Sequence, residues 1–541
     1  MQGMMMQMPL RIIEILDYAA TAHPKAEIVS QRVEGDIHRQ SYAQTFRRTA
    51  QLAHGLARLG VGEAKRVATL AWNGYRHFEL YYAISGMGAV CHTINPRLSA
   101  EQMLYIIGHA EDKVLCVDLT FVPLVEALAD HLPKDLQIVV MTDAAHMPDS
   151  ALPLICYEDL LDGQPEQYDW PLVDENAAAA LCYTSGTTGH PKGALYTHRS
   201  TVLHALFISV TLPKSLNEGA RILPVVPMFH VNSWGLPYAA PLVGASLVMP
   251  GPKLDGPSLF SLMEAEEVTA SWGVPTVWMG LRAEVEAQGK PPAKLSQLVI
   301  GGSAAPRSMI EFFDGQGVDV CHAWGMTEMS PVGTHAQVPA GVDLDPADRI
   351  TLKSTQGRRV FGVEMKLNDE AGNALPHDGK AVGELFVRGN AVISGYFNNP
   401  AASQKAFDVD GWFGTGDVAS ISSDGFLSIQ DRSKDLIKSG GEWISSIDLE
   451  NIAMGHPKVT SCAVIAVPHP KWDERPLLVV VPRDGGPTLD EIHAMMLEHV
   501  AKWQLPDAME FVDELPLTAT GKVSKLTLRQ RFDGYELPDA G

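Results

Sequence analysis

Residues 183–198 read YTSGTTGHPKGALYTH, directly after the apolar run 177–182. The ten residues 184–193 hold three glycines and four Ser or Thr hydroxyls, together with Pro191 and Lys192. A strand that opens into so small and hydroxyl-rich a loop can wrap an anion with backbone N–H groups, hydroxyls and one lysine. It is not the P-loop of kinase-type NTPases. That pattern needs Gly five residues after Gly186 and Ser or Thr after the lysine, where this chain has Pro191 and Gly193.

Outward from the loop, helical and strand signals alternate. Ser41-Tyr42-Ala43-Gln44 is a capping-box pattern that opens an apolar-periodic run closed by Gly60. Residues 67–72, 115–117 and 138–141 read as short strands, so the chain is expected to be α/β. The pattern restarts near the C-terminus with strand-like 462–467 and 477–481, then a helix from Thr488 with Glu491 completing its capping box. A compact unit of roughly 100 residues fits there. Between the two parts, Asp424-Gly425 lies between residues 418–421 and 426–429 and signals a hairpin. A two-residue loop pairs 423 with 426 and, further out, Asp417 with Arg432. The two side chains then stand on one face, as a cross-strand ion pair or as part of a site.

The whole chain is bounded by simple arithmetic. Its 541 residues allow two to four folding units at roughly 150 residues each. Lys and Arg number 42 against 64 Asp and Glu, a net charge of −22 that disfavours a nucleic-acid partner. The 46% hydrophobic content suits a globular enzyme. The six cysteines, at 91, 116, 156, 182, 321 and 462, lack metal or redox spacing and are expected to be buried free thiols. The Met-rich N-terminus has no secretory pattern, which leads to a cytoplasmic expectation. Residues 222–252 carry no Asp, Glu, Lys or Arg but hold six prolines, so they read as a buried wall and not as a membrane span.

Taken with the loop, residues 301–306 (GGSAAP), 322–328 (HAWGMTE), 411–417 (GWFGTGD), 431–441 (DRSKDLIKSGG) and 518–522 (TATGK) resemble, in order, the motifs of the AMP-forming acyl-CoA synthetase, or adenylate-forming, superfamily. Within it the chain looks most like medium-chain fatty acid CoA ligases and 3-(methylthio)propionate CoA ligases. The resemblance implies a large multi-subdomain α/β N-terminal adenylation domain, residues 1–432, and a small mobile α+β C-terminal domain, residues 433–541. It also implies ATP, Mg²⁺ and coenzyme A, a small carboxylic acid substrate and a homodimer. The implied reaction forms an acyl-adenylate and then an acyl-CoA thioester; loading of a separate carrier protein is the alternative.

By the same resemblance, Thr184, Ser185, Gly186, Thr187, Thr188, Gly189 and Lys192 hold the β- and γ-phosphates, and Thr184 with Glu328 helps hold Mg²⁺. Few hard oxygen ligands suit that ion, which shares the phosphates. Gly302, Ser303 and Ala304 let adenine lie against backbone, beside Ala323, Trp324, Gly325, Met326 and Thr327. The family commonly has Tyr where this chain has Trp324, so a contact through a phenol oxygen is not expected. Asp417 is assigned to the ribose diol with Arg432 beside it. Lys522 neutralises charge between the carboxylate and the α-phosphate. Lys434, next to Asp435, is the hinge, and Lys438, Gly440, Gly441 and Trp443 form a CoA-side loop. His230 and Trp234 lie beside the acid and the adenylate, and Val231, Trp234, Trp272, Val274 and Met279 suggest a small or medium aliphatic pocket.

Overall fold

The computed structural model describes residues 1, 3–184, 190–339, 341–518 and 522–538. Three sheets carry the chain. A seven-stranded sheet runs Leu154–Cys156, Gln137–Val140, Val114–Val117, Arg66–Leu70, Val90–Thr93, Ala178–Thr184 and Lys192–Thr197, parallel except for the last strand. A thirteen-stranded sheet is parallel through Ser246–Met249, Arg221–Pro224, Ala270–Gly273, Gln297–Ile300 and Asp319–Gly325. Its other half is antiparallel and includes the hairpin Phe413–Ile421 and Phe426–Arg432. A five-stranded sheet uses only residues from Ile437 to Phe511.

Local sequence signals account for many of these elements. Ser41 and Gln44 close the expected capping box on the helix Tyr42–Arg58, and Thr488 with Glu491 does so on Leu489–Met496. The expected strands are present as Arg66–Leu70, Val114–Val117, Gln137–Val140, Val459–His469 and Asp473–Pro482. The helix Tyr75–Gly86 is buried along its whole length, and its Tyr82 hydroxyl donates to Pro237 O at 2.8 Å. A helix enclosed on all sides belongs between layers; this one ties the seven-stranded sheet to the uncharged segment, which is buried at nearly every position from 222 to 249. Among the described residues no helix is long and apolar enough to cross a membrane. All six cysteines are buried and free.

The hairpin differs from expectation in an instructive way. Ser422 pairs with Phe426 through backbone N–H to O at 2.9 Å, so the loop is the three residues Ser423, Asp424 and Gly425. Gly425 has φ +83°, the left-handed geometry a three-residue turn needs. The longer turn shifts the register by one residue, and a bulge between Val418 and Ala419 shifts it back. Asp417 therefore does face Arg432, with the bulge making good the turn's extra residue.

Candidate active site

The loop stems come first. Ala178–Thr184 and Lys192–Thr197 are antiparallel neighbours with Thr184 directly opposite Lys192, so the chain leaves and re-enters the sheet at one place. Ser185, Gly186, Thr187, Thr188 and Gly189 lie outside the described residues. Lys192 Nζ sits 5.0 Å from the centroid of the Tyr396 ring, a cation–π distance. The Tyr396 hydroxyl donates to Glu328 Oε1 at 2.9 Å. Tyr396 thus links the loop lysine to the expected metal carboxylate. Nothing in the sequence marked it out: it is one of 13 tyrosines, and it reaches Glu328 across 68 residues.

Glu328 is buried, and among the described residues no lysine, arginine or histidine forms an ion pair with it. Burial pushes its carboxyl above the usual range, against the Tyr396 hydrogen bond and the more distant charges of Arg432 and Lys192. A buried carboxylate short of a cation fits a metal ligand. No cluster of three or more His, Cys, Asp or Glu capable of holding a metal occurs among the described residues. An ion here would rest on one carboxylate plus substrate oxygens, the arrangement Mg²⁺ favours.

Asp417 is buried while Arg432 is half-exposed, and Arg432 Nε approaches Asp417 Oδ1 to 3.5 Å. Trp324 Nε1 donates to Asp417 Oδ2 at 3.0 Å, so the indole supplies a polar contact of its own. Burial raises the Asp417 carboxyl, while Arg432, the Trp324 bond and Lys522 pull it back. Gly325 allows the turn behind Trp324, since a Cβ there would stand 1.8 Å from Pro331 O. Met326 N–H donates to that same oxygen at 3.1 Å, and the Tyr196 hydroxyl bonds Thr327 O at 2.5 Å. Ala323, in the same strand, accepts close packing: its carbonyl oxygen would lie 2.9 Å from a Cβ on Gly301.

Gly302 lies close to side chains from distant parts of the chain. Its φ is +83°, and a Cβ would meet Val274 Cγ1 at 3.1 Å, Lys522 Cε at 3.5 Å and Trp234 Cζ2 at 3.7 Å. Ser303 is exposed and Ala304 partly so, leaving backbone open to a flat ligand. Lys522 arrives from the far end of the chain and lies within the fields of Arg432, Asp417 and Glu328. Burial, with help from Arg432, lowers its ammonium to about 8, against the two carboxylates. Ala519, Thr520 and Gly521 of its motif lie outside the described residues.

The wall beside Lys522 is unusual. Val231, Asn232, Ser233 and Trp234 have φ of 47°, 48°, 51° and 55°, one turn of left-handed backbone without a glycine. L-residues pay roughly 1–2 kcal/mol each for this conformation, and such strain concentrates at functional sites. Ser233 holds the turn: its hydroxyl donates to Val226 O at 2.7 Å and its N–H to His230 O at 3.1 Å. The turn lays Trp234 on Gly301 and Gly302. Burial lowers the His230 imidazole to about 3, helped by the Lys522 charge, so this histidine is neutral. Val274 joins Trp234 here. Met279 does not: it packs against the separate core that contains Phe260 and Leu281. Trp272 is fully buried in its strand.

Lys434 and Asp435 follow Arg432 after Ser433. Burial lowers the Lys434 ammonium, and Asp435 Oδ1 accepts from Arg529 at 2.7 Å. Lys438, Gly440, Gly441 and Trp443 form a small hairpin, with Gly440 and Gly441 at φ +62° and +87°. Lys438 Nζ lies 4.5 Å from the Trp443 ring centroid. The hairpin also contacts Trp472, Asp473, Glu474 and Arg475, so the structure gathers it apart from the Lys522 cluster.

The chain resembles known proteins over nearly its whole length. The family model "AMP-binding enzyme" matches residues 16–397, and "AMP-binding enzyme C-terminal domain" matches 448–522. A medium-chain-fatty-acid–CoA ligase of Ectopseudomonas oleovorans is 50% identical over 539 residues, 98% of each chain. A 3-methylmercaptopropionyl-CoA ligase of Ruegeria lacuscaerulensis is 48% identical, over 98% of this chain and 99% of that one. Among solved structures, the anthranilate CoA ligase AuaEII in complex with anthranoyl-AMP superposes with a TM-score of 0.87 at 25% identity, over 97% of this chain and 98% of that one. A buried carboxylate linked through Tyr396 to Lys192, an aspartate facing an arginine and a lysine brought in from near the C-terminus thus occur in a chain that belongs to the AMP-binding enzyme family.

Proposed function

We propose that this chain is an ATP-dependent acid:CoA ligase that acts on short- or medium-chain carboxylic acids. The observation that carries the reading is Lys522, which lies beside Gly302 with Asp417, Arg432 and Glu328 around it. A carboxylate is a poor acyl donor because its leaving group would be oxide. Its oxygen instead attacks the α-phosphorus of ATP, the bond to pyrophosphate breaks, and an acyl-adenylate forms. The sulfur of CoA then attacks the acyl carbon, AMP leaves, and a thioester remains. Both steps crowd negative oxygens, so positioned cations and donors carry most of the catalysis.

In this reading Lys522 sits between the acid and the α-phosphate, and Asp417 with Arg432 bonds the ribose hydroxyls. Trp324 holds Asp417 in place, and backbone at Gly302, Ser303 and Ala304 accepts the adenine. Thr184 and Glu328 would hold Mg²⁺, which supplies positive charge at the phosphates when bound. Trp234, Val231 and Val274 enclose the start of the aliphatic tail, and neutral His230 stands beside the carboxylate. The domain boundary falls at 432/433, between the last hairpin strand and the five-stranded sheet. A turn about Lys434 and Asp435 withdraws Lys522 and brings the Lys438–Trp443 hairpin to the adenylate for the thioester step. A cytoplasmic homodimer completes the proposal.

The test is AMP and pyrophosphate release with ATP and Mg²⁺ across C2 to C12 acids and 3-(methylthio)propionate, with and without CoA. CoA-dependent turnover with a chain-length optimum is the expected result. Pyrophosphate release indifferent to CoA would move the reading to carrier-protein loading, and no turnover with any acid would overturn it.

A further inference from the structure

The two ends of the loop 185–191 meet one helix. Tyr105 and His109, four residues apart on Ala100–Ala110, lie on one face with ring centroids 5.3 Å apart and planes 18° from parallel. His109 Nδ1 is 2.7 Å from the hydroxyl of Tyr183, the residue before Thr184. Tyr105 stacks on His190, two residues before Lys192, at 4.1 Å and 14°. Phe397 packs its ring edge-on to His109 at 5.4 Å, and its N–H donates to Gly193 O at 2.8 Å. Entry stem, exit stem and the segment carrying Tyr396 are therefore gathered on a single pair of side chains.

We propose that Tyr105 and His109 are positioning residues that clamp both ends of the phosphate loop, setting its grip on the β- and γ-phosphates of ATP. The proposal rests on the reading of residues 184–192 as that loop. Fixing the residues on both sides of a binding segment before the ligand arrives lowers the ordering cost of binding. Aromatic stacking supplies the hold through ring faces. The dependence falls on ATP and pyrophosphate and not on AMP, which lacks the phosphates the loop holds.

The experiment is calorimetric binding of ATP and, separately, of AMP to the full-length protein, with steady-state KM for ATP and for the acid. Tyr105→Leu keeps apolar packing but loses the stack; it should weaken ATP binding about three- to tenfold while AMP affinity and the acid KM stay within twofold of wild type. Tyr105→Phe should restore ATP affinity. His190→Ala, at an exposed position, should repeat the Tyr105→Leu pattern without threatening the fold. Lys192→Ala tests the underlying reading, because unchanged ATP affinity there would mean that the loop does not hold phosphate at all. ATP weakened by Lys192→Ala but not by Tyr105→Leu or His190→Ala would overturn the clamp alone. Equal loss of ATP and AMP in both clamp variants would also overturn it, marking a structural defect.

Discussion

Trp324 Nε1 lies 3.0 Å from Asp417 Oδ2 and donates to it, so the indole and the buried carboxylate form one unit. The bond supports a buried carboxylate whose ion-pair partner is a half-exposed arginine at 3.5 Å. Hydrogen bonds to charged groups contribute roughly 1.5–3 kcal/mol. Trp324→Phe keeps the ring and removes the donor. KM for ATP is expected to rise about tenfold with little change in the KM for the acid; equal changes in both would count against the ribose assignment.

Glu328 carries the opposite tension, being a buried carboxylate with one neutral hydrogen-bond partner, Tyr396, and no ion pair among the described residues. Such a group costs stability in the free enzyme. Glu328→Gln preserves the shape and can still accept from Tyr396. We expect the Mg²⁺ concentration for half-maximal adenylation to rise about 10–100-fold while the melting temperature of the free protein increases by about 1–2 °C. A fall in melting temperature together with an unchanged Mg²⁺ requirement would contradict the role.

Lys522 sets a pH dependence. Its ammonium is lowered to about 8 in the free protein, and the proposed adenylation step uses the charged form. The sign follows directly: kcat/KM for ATP is full below that pH and falls about tenfold per unit above it. Bound ATP adds negative charge and favours the ammonium, so the inflection in kcat lies higher. A flat kcat/KM from pH 7 to 9.5 would rule the lysine out as the cation that matters.

Gly302 offers a steric test. Alanine there would sit at φ +83° with its Cβ 3.1 Å from Val274 and 3.5 Å from Lys522. Gly302→Ala is expected to cost about 1–2 kcal/mol of stability and to lower adenylation at least tenfold. Gly289→Ala is the control, since its φ is +72° with nothing within 4 Å of the added Cβ. It should lose comparable stability and no activity, and parallel activity loss in the two variants would remove the site-specific interpretation.

Much of this architecture is legible in the sequence where the signal is local. The capping boxes at Ser41 and Thr488 form as the spacing dictates, and a strand leads into the hydroxyl-rich segment as the apolar run before it suggests. The facing of Asp417 and Arg432 is legible too, although a three-residue turn and a bulge replace the simple loop that predicts it. What escapes is set by tertiary packing. Tyr396 finds Glu328 across 68 residues, and no local pattern marks that pairing. The left-handed turn through Val231 and Trp234 runs against the preferences of its own residues, so propensity cannot reveal it. Met279 shows the reverse error: apolar character and nearness in sequence place it in the pocket, but its helix turns it into another core.

The central claim is that one lysine from the C-terminal domain serves the first half-reaction and leaves for the second. It is tested most directly by Lys522→Ala, measured as acid-dependent exchange of pyrophosphate into ATP and as thioester formation from supplied acyl-adenylate and CoA. The account predicts loss of exchange by more than about a hundredfold, with thioester formation near the wild-type rate. Equal loss of both half-reactions would contradict it.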